Sequence, residues 1–219
     1  MGNQAMNDLQ RRYLPCDSGI IEEIRSSEGE STYKIKGTPI VYGRETVIYD
    51  SEHFRWIETI EPGAAREALL RAEQVLLWNH DSSKPMAARK NNTLIVKEDN
   101  TGVHIEANAS GTVWGREGVE AIRGGLIDKM SFGFFVKPEG YTEERSTENG
   151  KRILKRSIKK FDRIIDFSPV TYPAYQDTEV SARNAEEIIK EMEIEENKRA
   201  ETKKKINDLL AEYGKYTTE

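Results

Sequence analysis

Residues 129–136 read Lys-Met-Ser-Phe-Gly-Phe-Phe-Val, a stretch with the alternation of a β-strand. Side chains of a strand point to alternate faces of its sheet. The methionine and the phenylalanines at the even positions therefore fill one face, while Ser131 and Gly133 share the other. Because glycine has no side chain, the serine is predicted to have open space beside it, enough for the backbone of a substrate.

Short segments of β character lie on both sides of this strand, together with two brief helical patterns. One helix follows Glu61-Pro62-Gly63, and the other runs over 115–123. The polar residues 138–151 are interpreted as a loop. Many short strands with few helices predict a mainly β protein of the α+β class, built as a barrel or a sandwich. The β-like segments are 31–48, 75–80, 93–98, 102–109, 129–136 and 153–170.

The composition limits the classes of function. The formal net charge is −5, so the chain lacks the cationic surface that general nucleic-acid binding needs. No run reaches the ~18 apolar residues of a membrane helix, and the N-terminal MGNQAMNDLQRR has no apolar signal core. The single cysteine, Cys16, is interpreted as an ordinary thiol. These features predict a protein of the cytoplasm, or of a particle assembled there, with no membrane and no nucleic-acid partner.

The chain is predicted to have three parts. Residues 1–17 form a flexible N-terminal arm, 18–184 form the main domain, and 185–219 form a charged amphipathic helical tail. Seventeen of the last 35 residues are charged. A broken heptad predicts a helix that forms only against a partner, either a second copy of the chain or a scaffold. The heptad residues are Ala185, Ile188, Met192, Ile206, Leu209 and Tyr213, interrupted by Glu195, Arg199 and Thr202.

Two side chains are candidates for a nucleophile and its base. His80 follows the apolar strand residues 75–78 directly after Asn79, so it can be held rigidly beside a cleft; the alternative is a hydrogen-bonded histidine that only ends a strand. Ser131 needs a neighbouring base to become nucleophilic. Its alternative is a structural serine beside a glycine kink.

Asp166 is the third candidate, because it is an acid inside an apolar strand. Ile164, Ile165 and Phe167 surround it in sequence, and burial of a carboxylate is costly unless the group is paired. One such pairing orients a histidine. The other places Asp166 at an edge, beside the basic residues of 151–160.

These segments, in this order, resemble the prohead protease family of tailed phages, which is distantly related to the herpesvirus assemblins. The resemblance covers about 33–180. Where the family usually has Glu-Val-Ser, this chain has Asp166-Phe167-Ser168, and Pro85-Met86-Ala87 replaces a Pro-Leu-Gly turn. The blocks that carry the resemblance are Ile60-Glu61-Pro62-Gly63-Ala64, Leu77-Trp78-Asn79-His80-Asp81, Gly125-Leu126 leading to Met130-Ser131-Phe132-Gly133-Phe134, and Asp166-Phe167-Ser168-Pro169-Val170-Thr171-Tyr172-Pro173-Ala174.

The resemblance implies a closed or partly open β-barrel of the herpesvirus-protease type and a serine endopeptidase that needs no metal and no cofactor. It implies cleavage of the scaffolding segment of the major capsid protein, and of the protease itself, inside the assembling procapsid in the host cytoplasm. The polar residues 180–184 are predicted to be an exposed, extended junction and the site of self-cleavage. Ser131 would be the nucleophile, His80 its base and Asp166 the residue that orients His80. Assemblins use a second histidine in that third place, so His104 is the alternative third member.

Two other functions stay open from the sequence. The domain could be an inactive protease-like scaffold protein that acts in capsid assembly. A metallohydrolase would use His80, Asp81 and His104, although these residues lack the paired spacing of such sites. His53 lies in a polar stretch and is predicted to be exposed. The basic residues are interpreted as a solvated strand face, or as a docking surface for an acidic scaffold segment; they are Lys151, Arg152, Lys155, Arg156, Lys159 and Lys160.

Overall fold

The computed structural model describes residues 10–15, 20–25, 31–71, 73–109, 111–171 and 179–214. Strands dominate it, and three α-helices accompany them within these ranges. The elements are β1 Gln10–Pro15, β2 Ile20–Arg25, β3 Ser31–Val41, β4 Thr46–Asp50, β5 Phe54–Ile60, α1 Arg66–Arg71, β6 Val75–Trp78, β7 Asp81–Ala88, β8 Leu94–Glu98, β9 Gly102–Asn108, α2 Val113–Arg123, β10 Lys129–Phe135, β11 Tyr141–Glu148, β12 Lys151–Ile158, β13 Arg163–Val170 and α3 Glu179–Gly214.

The strands form three sheets. Their strand orders are β1-β10-β13-β6-β7, β11-β12-β5-β4 and β2-β3-β9-β8. Strands are the most frequent element among the described residues, so the prediction of a mainly β protein with helices is confirmed. The closed barrel is not found, because each of the three described sheets begins and ends in different strands that do not pair. The partly open, herpesvirus-type form stays a prediction.

The first sheet carries the aromatic core that the alternation of 129–136 predicts. The rings of Phe132 and Phe134 stack with centroids 5.0 Å apart, and Phe161 meets Phe134 edge-on at 4.9 Å. Met130 is buried with them. Burying aromatic side chains is the largest stabilising contribution that a strand face can make. This packing holds the backbone of β10 firmly while its opposite face remains available for polar residues.

The segment predicted as a flexible arm is in part a strand. Gln10–Pro15 forms β1 and pairs antiparallel with β10. The backbone groups of β10 on this side need partners, and β1 supplies them. The other residues of the arm, including Cys16, lie outside the described residues.

Residues 138–151, predicted as a loop, contain strand β11. It pairs antiparallel with β12, with Glu148 opposite Lys151. Asn149 and Gly150 connect the two strands and both have positive φ, at 51° and 80°. Asn-Gly is the preferred sequence for a two-residue hairpin turn of this kind. The polar composition of β11 led to its interpretation as a loop, although the Asn-Gly turn sequence indicates a hairpin.

The basic residues of β12 are not all solvated, so that prediction is wrong for Arg156. Its side chain is 3% exposed and lies 3.5 Å from a carboxylate oxygen of Glu58. The guanidinium also lies 4.3 Å from the centre of the Tyr141 ring. Arg156 shares its strand face with the buried Leu154 and Ile158, because residues two apart in a strand point the same way. Lys155, on the other face, is exposed.

The chain divides into two compact units, residues 1–177 and 178–219. Helix α3 belongs to the second unit and includes residues 180–184, which the sequence assigns to the main domain. The apolar side chains of Ile194, Ile206, Leu209 and Leu210 are exposed along it. Within the ranges that the structure describes, no helix combines the length and the apolar character needed to cross a membrane.

Candidate active site

A two-residue hairpin turn positions His80. Strand β6 ends at Trp78, β7 begins at Asp81, and these two residues are paired. Asn79 and His80 form the turn between them, with φ of 50° and 60°. Positive φ at both turn residues is the geometry that matches the twist of a hairpin, and asparagine and histidine adopt it more often than most other residues with a side chain. The turn therefore fixes the backbone from which the His80 side chain projects.

Asn79 ties this turn to the end of β13. Its backbone N–H donates to the carbonyl of Pro169 at 3.2 Å. Its side-chain Oδ1 accepts from the Thr171 N–H at 2.9 Å, and its Nδ2 lies 3.4 Å from the Thr171 hydroxyl. Because these bonds fix both the backbone and the side chain of Asn79, they fix the direction in which the next residue, His80, projects.

The pairing of β10 with β13 brings Ser131 and Asp166 to one face of the sheet. Ser131 lies opposite Ser168, and Gly133 lies opposite Asp166. Opposed residues of an antiparallel pair share a face. A Cβ atom added to Gly133 would lie 2.2 Å from Oδ1 of Asp166. The space beside Ser131 is thus occupied by the Asp166 carboxylate, and the expectation that it admits a substrate backbone is wrong.

The His80 ring bridges the serine and the aspartate. Its Nε2 lies 2.5 Å from Oγ of Ser131, and its Nδ1 lies 2.5 Å from Oδ2 of Asp166. A carboxylate can only accept hydrogen bonds, so the proton of a neutral imidazole belongs on Nδ1. Nε2 is then the acceptor for the Ser131 hydroxyl. This arrangement can transfer a proton from Ser131 to His80 while Asp166 stabilises the resulting charge.

Ser168 is a fourth member of this cluster that the sequence analysis missed. Its hydroxyl donates to Oδ2 of Asp166 at 2.9 Å and accepts from the backbone N–H of His80 at 3.2 Å. One side chain therefore holds the carboxylate and the turn together. Its position two residues after Asp166, on the same strand face, is the sequence feature that could have identified Ser168 as part of the cluster.

Sequence comparison places the chain among known proteins. Residues 22–193, most of the chain, match the family described as caudovirus prohead serine protease. The chain belongs to this family. The predicted relationship to the prohead proteases is thus confirmed, and with it the assignment as a serine protease. No curated protein matches the chain.

A solved structure similar to this prohead protease is the bacteriophage T4 capsid assembly protease, gp21. The two chains share 13% sequence identity with a TM-score of 0.43. The similarity covers 75% of this chain and 98% of the T4 protein.

The serine, histidine and aspartate of this prohead protease are enclosed. Ser131 and Ser168 are 0% exposed, Asp166 is 3% exposed, and the His80 side chain is 5% exposed. The sequence predicts open space beside Ser131, and the burial of this residue contradicts that prediction. Hydrogen bonds between charged and polar groups are stronger in such an environment than in water. A substrate can reach Ser131 only after part of the surrounding structure moves.

The structure places His104 elsewhere in the prohead protease. One ring nitrogen lies 2.9 Å from the hydroxyl of Thr38. The other lies 3.1 Å from a carboxylate oxygen of Asp99 and 3.2 Å from the hydroxyl of Thr101. Both nitrogens of His104 thus have other partners, and Asp166 is the group beside His80. His53 is exposed as predicted, with 79% of its side chain accessible.

The residues of the metallohydrolase alternative do not come together. His80 contacts Ser131 and Asp166, whereas Asp81 accepts hydrogen bonds from the backbone and hydroxyl of Ser83 and pairs with Lys84 at 3.1 Å. The hydrogen bonds from Ser83 and, as a smaller effect, the interaction with Lys84 lower the pKa of the Asp81 carboxyl to about 2. Among the described residues there is no group of three or more histidine, cysteine, aspartate or glutamate side chains arranged to hold a metal ion.

Proposed function

We propose that Ser131 is the nucleophile, His80 the general base and Asp166 the residue that orients and stabilises His80. The observation that carries this proposal is the unbroken chain of contacts from Ser131 Oγ through both nitrogens of His80 to Asp166 Oδ2, each link 2.5 Å long. Membership in a serine protease family supports the same roles. Ser168 positions Asp166 and the His80 turn.

Peptide hydrolysis then follows two steps. His80 Nε2 takes the Ser131 proton as Oγ bonds to the scissile carbonyl carbon, and the imidazolium returns that proton to the amine as the C–N bond breaks. Water attacks the resulting ester with His80 again as base, which releases the acid and restores Ser131. Asp166 remains ionised throughout and stabilises the imidazolium. The chemistry needs no metal and no cofactor.

The substrate in this proposal is the scaffolding segment of the major capsid protein, and the enzyme also cleaves itself. It works inside the assembling procapsid in the host cytoplasm. The membership in a prohead protease family supports this choice. In this proposal the tail contacts a second copy of the chain through its exposed apolar side chains, and the fold is a partly open barrel of the herpesvirus-protease type.

The second candidate is an inactive protease-like scaffold protein. The complete burial of Ser131 favours it, because a protein that never admits substrate has no need of an open site. The order of the His80, Ser131 and Asp166 contacts favours the enzyme, since a scaffold has no use for a histidine that bridges a serine and an acid.

One experiment separates the two functions. The chain is co-expressed with the major capsid protein of the same phage, and the products are weighed by mass spectrometry. We expect Ser131→Ala to lower the cleavage rate ~10⁴–10⁶-fold. The matched control is Ser146→Ala, the same change at an exposed serine of β11, which should cleave at the wild-type rate. Wild-type cleavage by Ser131→Ala would rule out the proposed nucleophile, and no cleavage by the wild type would favour the scaffold.

A further inference from the structure

Strand β1 occupies the backbone edge of the strand that carries Ser131. The pairing is antiparallel from Gln10 opposite Phe134 to Pro15 opposite Lys129, and it places Tyr13 opposite Ser131. On its other side, β10 pairs with β13. In the described sheet, β1 is one of the two edge strands, at the opposite edge from β7. Without β1, the edge of β10 beside Ser131 would present its backbone N–H and C=O groups to solvent.

An exposed sheet edge binds extended polypeptides, because the incoming backbone completes the hydrogen-bond ladder. A protease needs its substrate extended next to the nucleophile. We propose that the β1-facing edge of β10 is the docking edge for an extended segment of the capsid protein, and that β1 is a displaceable strand that occupies this edge until the substrate replaces it. This inference rests on the proposed function of Ser131.

Three observations support a β1 strand that is displaced during catalysis rather than one that stays paired with β10. Ser131 is 0% exposed, so some element must move before catalysis. A six-residue edge strand is among the elements with the lowest opening free energy. Residues 10–15 also lie before 22–193, the segment that matches the family model, so the match does not include β1.

The contact of Gln10 shows how β1 is held. Its side-chain oxygen accepts a hydrogen bond from Nη1 of Arg156 at 3.3 Å. Arg156 is buried beside Glu58 and Tyr141 and is therefore a fixed anchor. The anchor lies at the end of β1 away from Pro15, so the strand can separate from β10 at Pro15 first.

Tethering decides when a substrate can compete with β1. A segment of the same chain has an effective concentration in the millimolar range. Dilute capsid protein cannot displace such a strand, whereas the proposal requires that capsid protein packed around the enzyme in a forming shell reaches comparable concentrations. The same contacts that enclose Ser131 would thus delay cleavage until assembly has concentrated the substrate.

A reversible disulfide tests the proposal in the full-length chain. Pro15 and Lys129 are paired, and paired residues of antiparallel strands have the Cα separation that disulfides accept. The variant Pro15→Cys/Lys129→Cys/Cys16→Ser is assayed oxidised and reduced, with Cys16→Ser alone as control. We expect the oxidised form to cleave capsid protein at least about tenfold more slowly than the reduced form. Equal rates at complete disulfide formation would overturn the proposal.

A binding measurement makes the test independent of catalysis. The double substitution Arg12→Pro/Tyr13→Pro is made in the Ser131→Ala chain. Adjacent N–H groups of a strand point to opposite sides, so one of these two N–H groups faces β10, and proline removes the hydrogen bond that it donates to β10. The probe is a fluorescent peptide of residues 8–17 with serine at position 16. We expect the proline variant to bind it at least about tenfold more tightly than the Ser131→Ala chain with intact β1, and capsid protein to compete.

The two experiments distinguish a failure of the docking-edge proposal from a failure of the proposed function. Equal and weak peptide binding by both chains, with melting curves that show a folded proline variant, would overturn the docking edge. Peptide binding as expected without any capsid cleavage by the wild type would leave the docking edge intact and refute the proposed function. If the proline variant does not fold, the oxidised and reduced forms of the disulfide variant decide the question.

Discussion

The carboxylate of Asp166 accepts a charge-assisted hydrogen bond from His80, which a neutral amide cannot match in strength. With Oδ2 2.5 Å from Nδ1 of His80, it keeps the ring proton on the nitrogen that faces away from Ser131. We predict that Asp166→Asn lowers kcat ~10⁴-fold through the wrong tautomer. His104→Ala should remain near the wild-type rate, because His104 contacts Thr38, Thr101 and Asp99 instead. A crippled His104→Ala beside a near-normal Asp166→Asn would reverse the assignment.

Ser168 positions two groups without touching the substrate. Ser168→Ala removes its bonds to Asp166 and to the His80 N–H, each worth about 1 kcal/mol. We therefore predict a loss of roughly tenfold or more in kcat with little change in KM. Ser168→Thr keeps the hydroxyl and should recover most of the rate.

The readout for Ser168 is the split between kcat and KM in steady-state kinetics on capsid protein. A rise in KM at constant kcat would show that Ser168 contributes to binding rather than to positioning. Ser146→Ala is the control for the same change at an exposed site.

At the scale of elements, the pairing of β10 with β13 creates the site and also restricts the sequence of β10. Gly133 lies opposite Asp166, and any Cβ at this position would lie 2.2 Å from the carboxylate oxygen. Overpacking of this kind costs about 1–3 kcal/mol. We predict that Gly133→Ala lowers both the free energy of unfolding and the cleavage rate, since the carboxylate must move away from His80.

Thermal unfolding and cleavage of capsid protein measure the two effects. The control is Gly111→Ala, where an added Cβ meets no atom within 4 Å. Wild-type activity in Gly133→Ala would mean that Asp166 can shift without cost, and would argue against a rigid triad.

At the scale of the whole molecule, self-cleavage would separate the catalytic unit from α3. The sequence predicts an extended junction at 180–184, but these residues are helical, so that prediction is wrong. A helix must unwind before it can enter a protease site, which moves the expected cut toward the boundary of the units at 177/178. We predict that active enzyme loses the tail and that Ser131→Ala enzyme stays full length.

Intact mass spectrometry of the enzyme after it has cleaved capsid protein decides this prediction. Wild-type enzyme that has processed its substrate and still carries Glu219 would show that the tail is a permanent part of the protein. Ser146→Ala, as an active variant, should be trimmed like the wild type.

The sequence by itself determined the local features of this protein. The alternation in 129–136 identifies the packed face of β10, because the period of a strand is set by backbone geometry alone. The positions of His80, Ser131 and Asp166 follow from the resemblance and from local chemistry: a histidine after a strand, a serine beside a glycine, and an acid among apolar residues.

Only the tertiary structure decided how these residues meet. His80 is 51 positions from Ser131 and 86 from Asp166, and their contact depends on the register of β10 with β13 and on the turn after β6. The same register places Gly133 opposite Asp166 and Ser131 opposite Ser168. A separate pairing joins β1 to the other edge of β10. Strand pairing also explains why Arg156 is buried and why the three sheets do not close into a barrel. The pairings of β10 with β1 and with β13 join segments that are distant in the chain, so no short turn between the strands specifies which edges meet.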